Sequence, residues 1–347
     1  MSDVDAGRVR AVAVTLVQYA VALVALGWAV SQTDPIEALS LLAGLDPLTV
    51  LGILLASLLG LLARFETWRA TLGPIQPTDR RTAGSVALVV NFVNQLLPSR
   101  LTGRLAAPFV LRSKVGVSYA DGTAISGVHT AMYALLYGAV ATVGLVFAVD
   151  RLSIGLTGLL ALSIGLYLVA GVAILGAGTN LERLDWVFAG VTRLLRYLPR
   201  VGESLAARAE NAVSFTADST AAFRTIAGDP GVWVRYTAGW LVAKLIAPGV
   251  RVWLLLSGFG VAFEPGLLLP LYLVMAYSVT LLPLTPGGFG VTEATATAVF
   301  VALGVPSAVI VPVVFVDRFL DIYLPALAGW YPFLGIDRAS LRTGEGH

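Results

Sequence analysis

Long apolar stretches recur along most of the chain and alternate with short polar segments that hold the charged residues. An α-helix needs about 20 residues to cross the roughly 30 Å hydrocarbon core of a bilayer. The pattern therefore predicts an all-α, polytopic membrane protein with about eight spanning helices. The predicted spans are 12–30, 47–62, 122–149, 154–177, 236–257, 266–283, 289–303 and 307–330. The segment 289–303 is the shortest of these, and it could instead be re-entrant.

One further apolar stretch, 83–97, is stopped by Pro98 and has basic residues on both sides, such as Arg80 and Arg100. Lys and Arg concentrate in cytoplasmic loops, so both flanks are expected on one side of the membrane. We therefore predict that 83–97 is half of a re-entrant hairpin that returns through 105–111. Non-helical backbone at membrane depth is tolerated only where protein or water surrounds it. The hairpin is thus also a candidate site.

The distribution of charge predicts the orientation of the chain. Most of the 23 basic residues fall in segments that a cytoplasmic N-terminus would place inside the cell, whereas the opposite loops are mainly acidic. We predict a multi-pass protein of the cell membrane with both termini in the cytoplasm. Residues 1–335 would form a single integral membrane domain and 336–347 a cytoplasmic tail. Within that domain, 178–235 is predicted to be a cytoplasmic loop, containing either a surface-lying amphipathic helix at 181–198 or a solvated connector.

Composition excludes several classes of protein. Hydrophobic residues make up 57% of the chain and charged residues 13%, with a mean hydropathy of +0.83. Soluble domains contain roughly 25% charged residues, so soluble enzymes and nucleic-acid-binding proteins are excluded. The chain has no cysteine and two histidines, which argues against disulfides and metal sites. We expect no cofactor and no metal.

Two segments interrupt apolar helix with glycine and proline: 91–104, which contains Pro98, and 281–293, which contains Pro283. Proline ends a helix, and glycine lets backbone N–H groups turn toward a ligand. The helix that follows begins with the positive end of its dipole, which attracts phosphate or carboxylate. Such paired broken segments indicate a transporter binding site, and the alternative is a hinge or close helix packing. The candidate contacts are Asn94, Pro98, Arg100, Gly103, Arg104, Pro286, Gly287, Gly288, Gly290 and Glu293.

Ionisable residues inside the predicted spans form a second candidate group. Lys244 and Arg251 are seven residues apart and share one helical face, and Asp317 and Asp321 are four apart and share another. Arg318 lies beside the aspartates. A charge at the centre of a bilayer costs about 2.5–3.5 kcal/mol, so it usually faces a partner or a cavity. These residues could bind an anionic head group or form structural ion pairs across two helices.

One of the two histidines also lies within a predicted span. His129 could relay protons, or it could simply be hydrogen-bonded inside the bundle. A single histidine on an apolar helix is compatible with both interpretations.

The interrupted segments also suggest a family. Residues 94–100, the element Pro-Gly-Gly-Phe-Gly-Val-Thr-Glu at 286–293, and Arg318 followed by Tyr323, Pro325 and Gly329 resemble the membrane region of lysylphosphatidylglycerol synthases. The resemblance covers about 10–335. It implies a helical fold with re-entrant segments and movement of a modified phospholipid or lipid-linked substrate between leaflets.

The chain also departs from that family's pattern. A Gly-Glu-x-x-Arg element is expected after the first proline, but the sequence there is Gly103-Arg104-Leu-Ala-Ala107. The resemblance therefore does not identify the substrate. The soluble aminoacyl-transferase domain of full-length synthases is not recognisable, so we expect no synthase activity.

Three functions remain open at this point. The first is a lipid flippase, in which Arg100, Arg104, Arg251 and Arg318 contact an anionic head group and membrane lipids are the partners. The second is an intramembrane enzyme for a polyprenyl-phosphate or glycolipid head group, with Glu293 or the two aspartates as general base. The third is a scaffold for a separately encoded lipid-modifying enzyme.

Overall fold

The computed structural model describes residues 20–28, 34–96, 100–180, 217–282 and 285–336, together with residues 16 and 31. Every regular element in these ranges is helical, which confirms the all-α prediction. Residues 20–28 and 217–227 are helical as well. The principal helices are α1 (Pro35–Ala43), α2 (Pro47–Leu72), α3 (Arg80–Leu96), α4 (Arg100–Val115), α5 (Tyr119–Ala148), α6 (Ile154–Asn180), α7 (Pro230–Gly258), α8 (Leu269–Ala276), α9 (Val291–Ala302), α10 (Ser307–Arg318) and α11 (Leu324–Leu334).

Four of these helices, α2, α5, α6 and α7, are long and apolar enough to cross a membrane. On α2, Leu51, Leu54, Leu55 and Leu58 are all exposed. An apolar surface of this kind is unfavourable in water but is suited to contact with lipid. The exposed leucines therefore support a helical bundle embedded in a bilayer.

The sequence determines where the long helices begin. Asp46 precedes Pro47 at the start of α2, and its carboxylate accepts hydrogen bonds from the backbone N–H groups of Leu48 and Thr49 at 2.9 and 3.0 Å. The additional hydrogen bond from the Thr49 side chain lowers the pKa of Asp46. Asp229 caps α7 in the same way, ahead of Pro230. Each start combines a side-chain cap with proline at the first helical position.

Two consecutive apolar segments are shorter than the predicted spans. Residues 266–281 contain α8 between two 3₁₀ turns, and α9 has only 12 residues. Twelve residues rise about 18 Å, less than the roughly 30 Å of a hydrocarbon core. The length of α9 therefore favours the re-entrant alternative for 289–303.

The predicted re-entrant hairpin corresponds to α3 and α4, which pack against each other on either side of residues 97–99. It extends over Arg80–Leu96 and Arg100–Val115 and is longer than predicted. Helix α11 packs closely on α3: a Cβ atom on Gly329 would lie 2.2 Å from the backbone oxygen of Leu88. The membrane side on which the hairpin opens stays a prediction.

The described parts of the predicted loop 178–235 are largely helical, and its cytoplasmic location stays a prediction. Helix α6 continues to Asn180, residues 217–227 form a helix, and α7 begins at Pro230. Phe223 and Ile226 of the intervening helix are buried, because the Phe223 ring fits against the space left by Gly178 on α6. The predicted amphipathic helix at 181–198 lies outside the described residues.

Candidate functional site

A cavity of about 140 Å³ lies inside the bundle, between α2, α3, α4, α5 and α7. This volume has room for on the order of ten water molecules. Its polar lining is provided chiefly by Arg64, Lys244 and the amides of Asn91, Asn94 and Gln95. One wall is aromatic and is formed by Trp68, His129, Tyr133 and Trp240.

Two of the cavity's bases share one carboxylate. The Asp321 carboxylate accepts from Arg64 Nη2 at 2.6 Å and from Lys244 Nζ at 2.9 Å, and the Asp321 backbone oxygen also accepts from Arg64 at 2.9 Å. The three side chains keep 14–17% of their surface exposed. We call Arg64, Lys244 and Asp321 the cavity cluster. Its charges are paired but remain within reach of a ligand.

Both partners of the Lys244–Asp321 pair lie in π-helical turns. Lys244 is in the π turn at Val242–Ile246 within α7, and Asp321 is in the π turn at Phe319–Tyr323 between α10 and α11. The Asn91 side chain donates to the backbone oxygen of Ile322 at 3.1 Å. π turns are rare and occur frequently at functional sites. Their presence in two facing helices marks this pair as the candidate site.

A second group of charges is sealed from the cavity. Arg251 contacts the Asp317 carboxylate at 2.6–2.7 Å, Tyr277 donates its hydroxyl to that carboxylate at 2.8 Å, and Arg251 Nη1 lies 3.3 Å from Ser57 Oγ. The Arg251 and Asp317 side chains are almost completely buried. Each charge is therefore compensated without help from water or ligand.

Glu293 forms the other half of the sealed group. Its carboxylate accepts from the backbone N–H of Gly290 at 2.7 Å, from Arg318 Nε at 3.0 Å and from the Tyr323 hydroxyl at 2.6 Å. The Arg318 guanidinium lies over the rings of both Tyr277 and Tyr323. It therefore links the two halves. We call Arg251, Asp317, Tyr277, Arg318, Glu293 and Tyr323 the sealed cluster.

A small second cavity of about 30 Å³ lies between the two clusters. Lys244 and Asp321 line it from the cavity cluster, and Tyr277, Asp317 and Arg318 line it from the sealed cluster. It has room for about two water molecules. The two clusters are therefore neighbours within one electrostatic unit.

Two backbone amides of the glycine turn before α9 are hydrogen-bonded within the protein. Gly287, Gly288 and Gly290 all have positive φ, as glycine permits. The N–H of Gly288 donates to the Thr285 backbone oxygen at 3.1 Å, and that of Gly290 donates to Glu293. Ligand binding by these amides stays a prediction. The anion at this helix start is the protein's own Glu293.

The glycine turn also packs tightly against its neighbours, which agrees with the alternative interpretation of close helix packing. A Cβ atom on Gly290 would lie 2.2 Å from the Ala22 backbone oxygen, and one on Gly287 would lie 2.3 Å from Gln95 Oε1. The two broken segments therefore meet, as predicted. Among the described residues of the two segments, those that line the cavity belong to the first: Asn91, Asn94 and Gln95.

The predicted site residues now fall into three groups. Lys244, Asn94 and Asp321 belong to the cavity or its cluster, whereas Arg251, Asp317, Arg318 and Glu293 belong to the sealed cluster. Arg251 and Arg318, predicted as anion contacts, already hold carboxylates. Glu293, the proposed general base of the alternative enzyme, is fully buried and accepts three hydrogen bonds. The side chains of Arg100, Arg104 and Pro286 and all of Pro98 lie outside the described part of the chain, and Gly103 is known only as a helical position in α4.

Sequence reasoning missed Arg64 and the aromatic wall. Arg64 was assigned to a loop because the predicted span ended at residue 62, but α2 continues to Leu72. The available signal was that Arg64 is the first charge after a long apolar run. The His129 ring stacks on Trp68 with centroids 4.0 Å apart, and its backbone oxygen accepts from Tyr236. This packing supports a structural role for His129, and proton relay stays a prediction.

Together, the lipid-suited exterior and the enclosed charges define a helical integral membrane protein with a polar site inside its bundle. The chain belongs to the family of the lysylphosphatidylglycerol synthase TM region, whose family model matches residues 15–329. The resemblance drawn from the interrupted segments is thereby confirmed. Neither the curated proteins nor the solved structures contain a significant match to the chain.

Proposed function

We propose that this protein moves an anionic phospholipid or a lipid-linked substrate between the two leaflets of the membrane. The observation that carries the proposal is the cavity cluster, in which Arg64 and Lys244 share Asp321 at the edge of a cavity with charged and amide groups in its lining. A polar head group cannot enter hydrocarbon without a large desolvation cost. A cavity that replaces water with fixed charges and amides lowers that cost.

The cavity cluster has the chemistry to hold a phosphate. The planar guanidinium of Arg64 can bind phosphate oxygens in bidentate fashion, and Lys244 adds a compact charge. Until a head group arrives, Asp321 is hydrogen-bonded to both bases and compensates one of their two charges. Binding would then be an exchange of one anion for another.

An apolar groove beside the cavity supports a lipid as the substrate. The groove has a volume of about 440 Å³ and is lined by Val93, Ala106, Phe109, Val110, Phe333, Leu334 and Ile336. It lies across the α3–α4 hairpin from the cavity, since Val93 lines the groove whereas Asn94 lines the cavity. The hairpin thus separates a polar compartment from an apolar one, as the head and the acyl chain of a lipid require.

The test is leaflet-resolved lipid analysis of proteoliposomes made from the host's own lipid extract. Wild-type protein should accelerate exchange between leaflets over protein-free vesicles. Lys244→Gln should slow it by about tenfold, as expected for the loss of one charge-assisted hydrogen bond. Lys114→Gln is the matched control, because Lys114 is the chain's other lysine and lies outside the cavity.

A parallel incubation in detergent separates transport from catalysis. An enzyme acting on the head group would change the lipid chemically in detergent, where no leaflets exist. A transporter should leave every lipid intact there and act only in vesicles. Equal exchange in protein-containing and protein-free vesicles, or conversion of a lipid in detergent, would overturn the proposal.

A further inference from the structure

We infer that the preferred head group is a phosphodiester carrying a neutral, hydroxyl-rich group, such as glycerol or a sugar. Cationic and zwitterionic head groups would be disfavoured. The inference rests on the proposed function and names its substrate class. Three features of the described residues lead to it: the charge balance, the uncharged lining and two unpartnered polar atoms.

The charge balance of the two clusters leaves one positive charge in excess. There are four bases and three acids, namely Arg64, Lys244, Arg251 and Arg318 against Glu293, Asp317 and Asp321. The sealed pairs are matched one to one, so the excess lies at the cavity cluster, where two bases share one acid. A phosphodiester carries one negative charge and would neutralise it. A head group with an added ammonium would restore the imbalance in a poorly screened site.

The remaining polar lining is uncharged. Asn91, Asn94, Gln95, Ser126 and Thr130 supply amide and hydroxyl groups, and each of these can donate and accept. None of the described residues lining the larger cavity is an aspartate or a glutamate. An ammonium group would require such a carboxylate there, whereas hydroxyl groups are matched by amides.

Besides Arg64 Nε, two polar atoms at this cavity lack hydrogen-bond partners among the described residues. Trp240 is 1% exposed, and its indole N–H donates to none of those residues; the Asn94 Oδ1 atom likewise accepts from none. A buried donor or acceptor without a partner is costly, so such groups usually mark a place for water or ligand. The Trp240 N–H needs an acceptor and Asn94 Oδ1 needs a donor. Hydroxyl groups of a ligand can serve as either.

The aromatic wall is compatible with this head group. Trp68, Tyr133 and Trp240 contribute apolar ring atoms to the cavity lining, against which the C–H groups of a glycerol or sugar can pack. Aromatic faces also attract cations. Here the excess positive charge of Arg64 and Lys244 repels a further cation, so the charge balance favours the neutral, hydroxyl-rich head group over a cationic one.

The first test measures binding of dioctanoyl lipids to the purified full-length chain in detergent by isothermal titration. Phosphatidylglycerol should bind about tenfold or more tightly than phosphatidylethanolamine. It should also bind more tightly than phosphatidylserine, which has the same net charge but carries an ammonium, and than lysyl-phosphatidylglycerol. Equal or tighter binding of any lipid that bears an ammonium would overturn the inference.

The second test removes the unpartnered atoms one at a time. Trp240→Phe and Asn94→Leu should each weaken phosphatidylglycerol binding about three- to tenfold, the value of one hydrogen bond, without changing phosphatidylethanolamine binding. Melting temperatures should be unchanged or higher, because each change deletes a buried unsatisfied group. Trp253→Phe is the matched control, since Trp253 is on the same helix but 51% exposed. Unchanged phosphatidylglycerol affinity in both cavity variants would contradict the inference.

The two proposals can fail separately. Leaflet exchange of host lipid without any preference for hydroxylated phosphodiesters would overturn the head-group inference and leave transport intact. A clear preference in the titrations without leaflet exchange would overturn the transport function and leave the binding site in place.

Discussion

The cavity cluster and the sealed cluster each contain one ion pair between α7 and the helical segment 307–323, yet the surroundings of the two clusters differ. Asp317 and Asp321 are four residues apart on one continuous helical segment, and each pairs with a basic residue of α7. The cavity pairs retain 14–17% of their side-chain exposure, whereas the sealed pairs retain at most 4%. We infer that access of water or a ligand to the ion pair, and not the residue type, decides whether a membrane ion pair can exchange its partner.

Deeper burial, and the number of donors on each sealed carboxylate, explain the difference. Asp317 is held by Arg251 and Tyr277, and Glu293 accepts from three donors. Removing any partner there leaves an uncompensated group in a low-dielectric interior. In the cavity cluster, water or a head group can replace a lost partner. We therefore expect the sealed cluster to stabilise the fold and the cavity cluster to bind the ligand.

The largest expected effect comes from breaking the sealed pair. Asp317→Asn should lower the free energy of unfolding by about 3–5 kcal/mol, because it leaves Arg251 buried without a counter-ion. Adding Arg251→Met should recover most of that loss, because it removes the orphaned charge. Chemical unfolding in mixed micelles measures both variants. Additive losses in the double variant would show that the two residues are not coupled.

A smaller loss is expected at the glycine turn that closes the sealed cluster. Gly290 and Gly260 have nearly equal φ values of 78° and 75°, but only Gly290 has a neighbour, the Ala22 backbone oxygen, within reach of a Cβ atom. Gly260→Ala should cost about 1–2 kcal/mol from backbone conformation alone. Gly290→Ala should cost about 1–3 kcal/mol more, because the added methyl clashes. Equal unfolding free energies for the two variants would contradict this packing role.

The smallest effect on stability is expected in the cavity cluster. Asp321→Asn should lower the free energy of unfolding by only about 1 kcal/mol, as for a partly solvated ion pair. The same change should increase the affinity for phosphatidylglycerol, because a competing anion is removed from Arg64 and Lys244. Titration calorimetry and chemical unfolding on one preparation measure both quantities. A stability loss as large as that of Asp317→Asn, or weaker lipid binding, would remove the distinction between the clusters.

Helical periodicity was sufficient to predict which charges meet. The seven-residue spacing of Lys244 and Arg251 and the four-residue spacing of Asp317 and Asp321 place each pair on one face. Because charges inside a membrane need partners, ion pairs between the two faces were one of the two interpretations, and the structure pairs Lys244 with Asp321 and Arg251 with Asp317. Residue spacing within one helix predicts which side chains share a face, because the helix geometry alone determines it.

The errors arose where tertiary structure decides. Glycine at 288 and 290 indicated backbone freedom, but not that Glu293 would occupy the helix start before any ligand could. Arg64 was missed because hydropathy alone ended the second span too early. The aromatic wall had no sequence signal, since Trp68, Tyr133 and Trp240 come from three helices that only the folded bundle brings together.

The π turns make the orientation of Lys244 and Asp321 depend on the exact number of residues in their helices. A π turn accommodates an extra residue within an α-helix, so deleting one residue from Val242–Ile246 would let α7 wind as a regular helix. Because the π turn absorbs that extra residue, the part of α7 after the deletion would keep its orientation, and Arg251 would still face Asp317. Lys244 lies inside the turn, so its orientation toward Asp321 would change. A one-residue deletion there should therefore disturb the cavity cluster and leave the sealed cluster in place.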